Sequence, residues 1–183
     1  MPEVCRVQRL SRLSKGCPGT PNRAENERIK GVEVTTTIEQ SIEVNVPLET
    51  AYNQWTQFEE FPQFMEGVES VTQLDNTHLR WVAEIGGERE EWQAEIVEQR
   101  PDERVAWRAV RGKGNAGVVT FHKIAPDTTR VMLQLDWEPE GMKEKIGSAI
   151  GMDSSRVKGD LERFKEMIEH RGVETGAWRG DVS

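Results

Sequence analysis

The chain has two cysteines in 183 residues, Cys5 and Cys17, both close to the N-terminus. No thiol stands between Gly31 and Gly180 to serve as a nucleophile or a soft metal ligand. Histidine is almost as scarce, with only His78, His122 and His170, and Tyr52 is the single tyrosine. Two Cys and three His exclude a zinc ribbon or a c-type haem site by count. No run of about 18 apolar residues occurs, which excludes a membrane-spanning helix. The first residues hold no apolar stretch of about 7–15, so no secretory signal is expected and the expected location is cytoplasmic. Glycine-rich phosphate loops, H-E-x-x-H and G-x-S-x-G are all missing, so no cofactor and no metal are expected.

What is present is charge, unevenly distributed. Against 24 Lys+Arg stand 32 Asp+Glu, a formal net charge of -8. Residues 1–30 carry seven bases and three acids, a net of +4, which leaves -12 on the remainder. This basic leader also holds both cysteines, Gly16, Gly19, Pro18 and Pro21, and hardly any apolar residue from Ser14 to Arg28. Val4, Val7, Leu10 and Leu13 recur every third residue, a stripe that drifts by about 60° per step around a helix and makes a poor apolar face. The leader is expected to be disordered, with a basic arm for nucleic acid or an anionic surface as the alternative. The expected domain spans residues 31–172, with a C-terminal tail over 173–183. A body at -12 should repel nucleic acid and anionic lipid. Glu88, Glu90, Glu91, Glu138, Glu140 and Glu144 read as a solvated face, or as a docking face for a basic protein partner.

From Gly31 the pattern is mostly of period two. Ile38, Ile42, Val44 and Val46 alternate with polar residues, with Gln40 interrupting the apolar set, and Pro47 ends this strand. Leu48 to Phe58 places Ala51, Tyr52 and Trp55 at helical spacing, and Phe61-Pro62 opens a second short helical turn. Strands then follow in series. Val68–Leu74 is the first. Leu79, Trp81, Ala83 and Ile85 share one face of the next, then Trp92, Ala94 and Ile96, then Val105, Trp107 and Ala109. Gly117, Val119 and Phe121 follow, and finally Val131, Leu133, Leu135 and Trp137. Gly86-Gly87, Pro101-Asp102, Gly112–Gly114 and Pro126-Asp127 are the turn signals between them. Consecutive short strands with tight turns form an antiparallel meander. The last element changes period: Asp153 or Ser154 can cap a helix whose face is Val157, Leu161, Phe164 and Ile168, closed by His170, Arg171 and Gly172. The class is α+β, a curved antiparallel sheet around one long helix.

The element order resembles the helix-grip fold of the START, birch-pollen-allergen and polyketide cyclase/dehydrase superfamily. Local motifs carry the resemblance further. Ile42-Glu43-Val44-Asn45-Val46-Pro47 with Ala51-Tyr52 is similar to that family's first strand and helix. Phe58-Glu59-Glu60-Phe61-Pro62-Gln63-Phe64-Met65 followed by Val68-Glu69-Ser70-Val71 is similar to its turn before the second strand, in particular in the cyclase/dehydrase and coenzyme Q-binding branch. The match covers about residues 34–170 and implies about seven strands, two short helices after the first, and an apolar cavity between sheet and C-terminal helix. It implies binding of a lipid, quinone or polyketide-like molecule, with aromatase/cyclase or dehydrase activity in some members.

The residues themselves point to the same place. Trp81, Trp92 and Trp107 fall on the apolar parity of three successive strands, so three indoles line one concave face. Trp55, Phe61, Phe64 and Phe121 border that space, and Leu135 and Phe164 close it from the last strand and the long helix. Such rings either fill a core or line a ligand site. An indole N–H in an apolar interior needs an acceptor, which a bound molecule can supply. Acid/base groups are few: Gln40, Glu90, Arg111 and Lys123 are the polar residues on inward parity, and Arg111 is the candidate for the pocket mouth. His122, Arg80 and Arg108 should point outward. Glu138 to Gly151, with Met142, Ile146 and Ile150 between glycines, reads as a lid or as a packed surface helix. Three readings stay open: an apolar-ligand binding or carrier module, a cyclase/dehydrase enzyme, and a protein-interaction module with a vestigial cavity.

Overall fold

Alternation of apolar and polar side chains generates seven strands, and the turn residues between them decide how they connect. The computed structural model describes residues 36–85, 87–111, 115–137 and 154–183. The leader, the Gly112–Gly114 turn and the segment read as a lid lie outside the described residues. Strand β1 (Thr36–Val44) leads through Pro47 into helix α1 (Leu48–Trp55) and a 3-10 turn (Phe58–Gln63). Then come β2 (Val68–Gln73), β3 (His78–Ile85), β4 (Glu88–Arg100), β5 (Arg104–Arg111), β6 (Ala116–Ala125) and β7 (Thr128–Trp137). Helix α2 (Ser154–Arg171) closes the order. The seven strands form one antiparallel sheet in the order β1-β7-β6-β5-β4-β3-β2. Every neighbour is the next strand in sequence except β1, which returns beside β7 in continuous register from Thr36↔Trp137 to Val44↔Thr129. This is the α+β helix-grip layout expected from the sequence.

Two turns use backbone conformations that few residues tolerate. Gly87 has φ +84° at the β3–β4 hairpin, and Asp102 has φ 63° after Pro101. Asp and Asn are among the side chains that enter this left-handed region most readily.

The eighteen residues of α2 span about 27 Å at 1.5 Å each. Val157, Leu161, Phe164 and Ile168 are all at most 2% exposed and form its buried stripe. Gly172, at φ +72°, ends the helix with its N–H bonded to the Ile168 carbonyl at 2.8 Å. The helix is fastened at both ends. Lys165 Nζ donates to the Glu43 carbonyl at 2.7 Å, and Glu169 Oε1 accepts from the Asn45 N–H at 2.6 Å, both at the end of β1. The N-terminal half is bound to the loop before β2, on the opposite edge of the sheet. Within the layer, rings run in continuous contact from Tyr52 through Phe121, Trp55, Phe61 and Trp81 to Trp92.

Two bulges shift the parity that simple alternation predicts. Opposite β5, Val97 is the extra residue on β4: Ile96 pairs with Trp107 and Glu98 with Ala106. Past it, Gln99 turns inward to 1% exposed. On β5 the extra residue is Val110, since Ala109 pairs with Ala94 but Arg111 with Gln93. Arg111, inward by a strict count of two, is consequently exposed.

The residues after α2 are built into the fold. Val182 and Gln99 exchange backbone hydrogen bonds of 2.8 and 2.9 Å. Helix α1 is buried over five consecutive residues, Ala51 to Trp55, two of them the polar Asn53 and Gln54. Such groups need partners, and the C-terminal segment supplies them. Gln54 Oε1 accepts from the Thr175 N–H at 3.0 Å and from Arg171 Nη1 at 3.2 Å. Asn53 donates to Glu174 Oε1 at 2.9 Å and accepts from Arg179 Nη1 at 3.0 Å. Thr56 Oγ1 accepts from the Trp178 N–H at 3.1 Å.

Candidate functional site

Between β3, β4, β5, β7, the 3-10 turn and the first turns of α2 lies a cavity of about 80 Å³. Packed interiors hold few voids larger than a water molecule, so this space is a departure from ordinary core packing. Six rings border it: Trp55, Phe58, Phe61, Trp81, Trp92 and Trp107. Leu79, Ile96, Val105, Leu133 and Leu135 fill the wall between them. Trp81 and Trp92 face each other directly across β3 and β4, stacked with centroids 5.7 Å apart and planes 9° from parallel.

The expected site residues divide into two groups. Trp55, Phe61, Trp81, Trp92, Trp107 and Leu135 border the cavity. Phe64, Phe121 and Phe164 stand behind the wall: each is at most 4% exposed and packs on Trp55 at 5.1–6.3 Å between centroids. Arg111 is not at the mouth, because the Val110 bulge turns it to solvent. The arginine bordering the cavity is Arg156, from the first turn of α2. Gln40 points toward the same helix end, donating to Ser154 Oγ at 2.5 Å. Lys123 is exposed. His78 is tied to Asp75 at 3.0 Å in an exposed turn, and His122 pairs with Thr120 at 3.0 Å on the outer face. Tyr52 is far from being a pocket acid: it is fully buried, accepts from Gln99 Nε2 at 3.1 Å, and its ionisation is pushed up by desolvation.

The polar part of the site is a clasp at the mouth, formed where Glu66, Arg156 and Asp160 meet Met65 and Ile85. Three side chains of α2 grip the backbone of residues 64–66. Arg163 Nε donates to the Phe64 carbonyl at 2.8 Å, Arg156 donates to the Glu66 carbonyl, and Asp160 Oδ1 accepts from the Glu66 N–H at 2.9 Å. Arg163 also pairs with Asp160. Burial pushes the Asp160 carboxyl above the usual range, against the pull of the Glu66 N–H and of the Arg163 and Arg156 guanidiniums. Gly67 makes the close approach feasible: its φ is +72°, and a Cβ there would meet the Arg156 guanidinium and lie 2.8 Å from the Glu84 carbonyl. Sequence reasoning missed Asp160 and Arg156 because they lie on the polar flank of α2. The signal available was Arg156, Asp160 and Arg163 spaced at +4 and +3, one stripe beside the apolar one.

Among the described residues, no three His, Cys, Asp or Glu side chains converge as a metal site, and no helix is long and apolar enough to cross a membrane. The walls of the cavity offer apolar contact and a charged rim. Trp107 Nε1 donates to Asn115 Oδ1 at 3.0 Å, while Trp81 Nε1 is buried with no hydrogen-bond partner among the described residues.

The family model for polyketide cyclase / dehydrase and lipid transport matches residues 44–166, from the end of β1 to the middle of α2. The chain belongs to this family. A family relative, an uncharacterised 17.2 kDa protein of Streptomyces lincolnensis, is 57% identical over 146 residues, covering 79% of this chain and 97% of that one. Among solved structures, a Deinococcus radiodurans protein superimposes with a TM-score of 0.60 at 26% identity, over 74% of this chain and 98% of its own. A START superfamily protein of Mycobacterium smegmatis gives 0.58 at 19%, over 74% and 95%. The Zhui aromatase/cyclase of a Streptomyces species gives 0.59 at 14%, over 79% and 99%. The polyketide cyclase/dehydrase family and these solved structures thus share the fold, while the cavity and the residues of its wall and rim are described from this chain.

Proposed function

We propose that the protein binds an apolar small molecule, of lipid, quinone or polyketide type, in the cavity between sheet and α2, as a carrier or binding module. The observation that carries this reading is the wall itself: six aromatic rings around about 80 Å³ of space inside an otherwise close-packed layer. The volume also sets how such a ligand would sit. Drug-sized ligand sites occupy about 300–1,000 Å³, so a single ring enters and the rest of a larger molecule passes the clasp at Glu66, Arg156 and Asp160. Family membership supports the ligand class. The test is native mass spectrometry of the full chain purified from its own host, with solvent extraction of what travels with it. It is paired with titration of tryptophan fluorescence by 1,4-naphthoquinone. A repeatedly recovered apolar molecule and quenching that saturates are expected. Absence of both refutes the reading.

A catalytic reading has one observation in its favour, the raised Asp160 carboxyl at the cavity rim. In a cyclase or dehydrase it would act as a proton donor to an enolising or dehydrating substrate. Asp160→Asn then abolishes turnover of a linear polyketide mimic while leaving its binding unchanged; equal turnover by both proteins removes Asp160 from the chemistry.

A further inference from the structure

Of the six rings that border the cavity, five are locked into one another. Trp55 packs against Phe61, Phe64, Phe121 and Phe164, Phe61 also meets Phe58 and Trp81, and Trp81 stacks on Trp92. All five are at most 9% exposed. Trp107 differs on both counts. It makes no ring contact among the described residues, and it is half-buried while bordering the cavity. Its place in the sheet explains why. Trp107↔Gly117 is the last pair of the β5–β6 ladder, and beyond it the Ala109 N–H donates to the Asn115 carbonyl at 3.0 Å. Opposite Trp107 there is no side chain to interlock with. A Cβ on Gly117 would lie 2.6 Å from Trp107 Cζ2, so the indole rests on bare backbone, beside Leu135. Its N–H donates to Asn115 Oδ1 at 3.0 Å.

Resting on the binding reading above, we propose that Trp107 is the movable wall of the cavity: it swings off its seat on Gly117, releasing Asn115, to admit a ligand of two or more fused rings, and so sets the size of molecule that the site accepts. The closed cavity of about 80 Å³ takes one ring, well short of the about 300–1,000 Å³ of sites for drug-sized molecules. A flexible tail can thread past the clasp, but a second fused ring is rigid and needs width at the wall itself. Moving any of the other five rings breaks aromatic pairs and opens a packed layer. Moving Trp107 breaks one neutral hydrogen bond, and both of its partners are half-buried, so water can take them up. The apolar contact that the ring gives up is replaced by the incoming ligand. The wall then has a closed and an open state. A ligand that needs the open one loses affinity in proportion to how rarely the wall is open, while a one-ring ligand loses none.

The probes are acetophenone, with one ring, and 2-acetonaphthone, with the same carbonyl group on two fused rings. Each is titrated into the ¹³C,¹⁵N-labelled full chain and into Asn115→Leu, which removes the Oδ1 acceptor at similar size. The Trp107 indole is assigned in the unliganded chain through its nuclear Overhauser contacts with Gly117 and Leu135. Saturating 2-acetonaphthone is expected to abolish the contact between the indole and the Gly117 α-protons and to speed exchange of the indole N–H with water. Acetophenone is expected to bind and leave both in place. The ratio of dissociation constants, two-ring over one-ring, should fall by about 3- to 10-fold in Asn115→Leu, the size of one neutral hydrogen bond, because the latch no longer holds the wall shut. Using a ratio cancels any general change that the substitution makes to the cavity. An indole that keeps its Gly117 contact under saturating 2-acetonaphthone, a ratio unchanged by the substitution, or binding of acetophenone with none of 2-acetonaphthone overturns the movable wall while leaving the cavity a binding site. If neither probe perturbs any wall residue, the binding reading falls with it. Should Asn115→Leu fail to fold, the Gly117 contact in the unsubstituted chain decides alone.

Discussion

Replacing Ala83 with Val fills the candidate site from its wall without touching an aromatic ring. Ala83 is 3% exposed, lies on β3 between Trp81 and Ile85, and borders the cavity. An interior void costs about 24 cal/mol per Å³, so 80 Å³ of unfilled space costs about 2 kcal/mol. Valine adds two carbons, worth about 0.8 kcal/mol each when buried, or about 1.6 kcal/mol together. It also suits a strand better than alanine. The gain cannot exceed the cost of the void, and the two figures agree. Allowing for some strain from an imperfect fit, Ala83→Val is expected to raise unfolding stability by about 1 kcal/mol. It should also weaken binding of 1,4-naphthoquinone at least 10-fold. Urea unfolding followed by tryptophan fluorescence measures the first, and quenching titration the second. A variant more stable by this amount that binds the quinone as well as the parent would show that the cavity is only a packing defect. A variant less stable by 1 kcal/mol or more would show that no usable space lies beside residue 83.

Three further outcomes follow from the rim and the C-terminal strap. Because burial raises the Asp160 carboxyl, the folded state holds its proton more tightly than the unfolded chain does, so this contribution is full below the ordinary aspartate range and is lost as pH rises through the raised value. The stability difference between the parent and Asp160→Asn should therefore shift against the parent from pH 4 toward pH 7; a pH-independent difference in urea midpoints refutes the assignment. Gly67→Ala forces a Cβ toward Arg156 and Glu84 at φ +72°, and should cost about 1–2 kcal/mol and raise amide exchange over residues 64–67. Ending the chain at Gly172 strips both side-chain partners from Asn53, while Gln54 keeps Arg171 and Thr56 keeps the Asn53 carbonyl; with about 1–3 kcal/mol for each of the two amide groups left unpaired, a loss of about 2 kcal/mol or more in urea unfolding is expected, and a loss below 1 kcal/mol would mean that the strap is dispensable.

Much of the fold was legible because its signals are local. A side chain's face on a strand follows from counting by two, and Trp81, Trp92 and Trp107 stand on the wall where that count placed them. The face of α2 follows from counting by 3.6, and Val157, Leu161, Phe164 and Ile168 are all buried. The count failed where a strand carries one residue too many. Val110 sends Arg111 outward, and Val97 brings Gln99 in beneath Tyr52. Neither bulge has a glycine or proline to announce it, since a bulge is settled by how two strands fit and not by either strand alone.

The sequence by itself determined the order of elements, the aromatic face of the sheet, and the charge asymmetry between a basic leader and an acidic body. Each is a property of neighbouring residues. Only the tertiary structure decided which rings border space and which are packed behind it. Phe64, Phe121 and Phe164 have the same composition signal as Phe61, but they crowd around Trp55 while Phe61 faces the cavity. It also decided that Arg156 and Asp160, some ninety residues from the loop they hold, form the rim. Whether the Trp81 N–H finds a partner was another such decision, because an acceptor for it must come from a distant part of the chain.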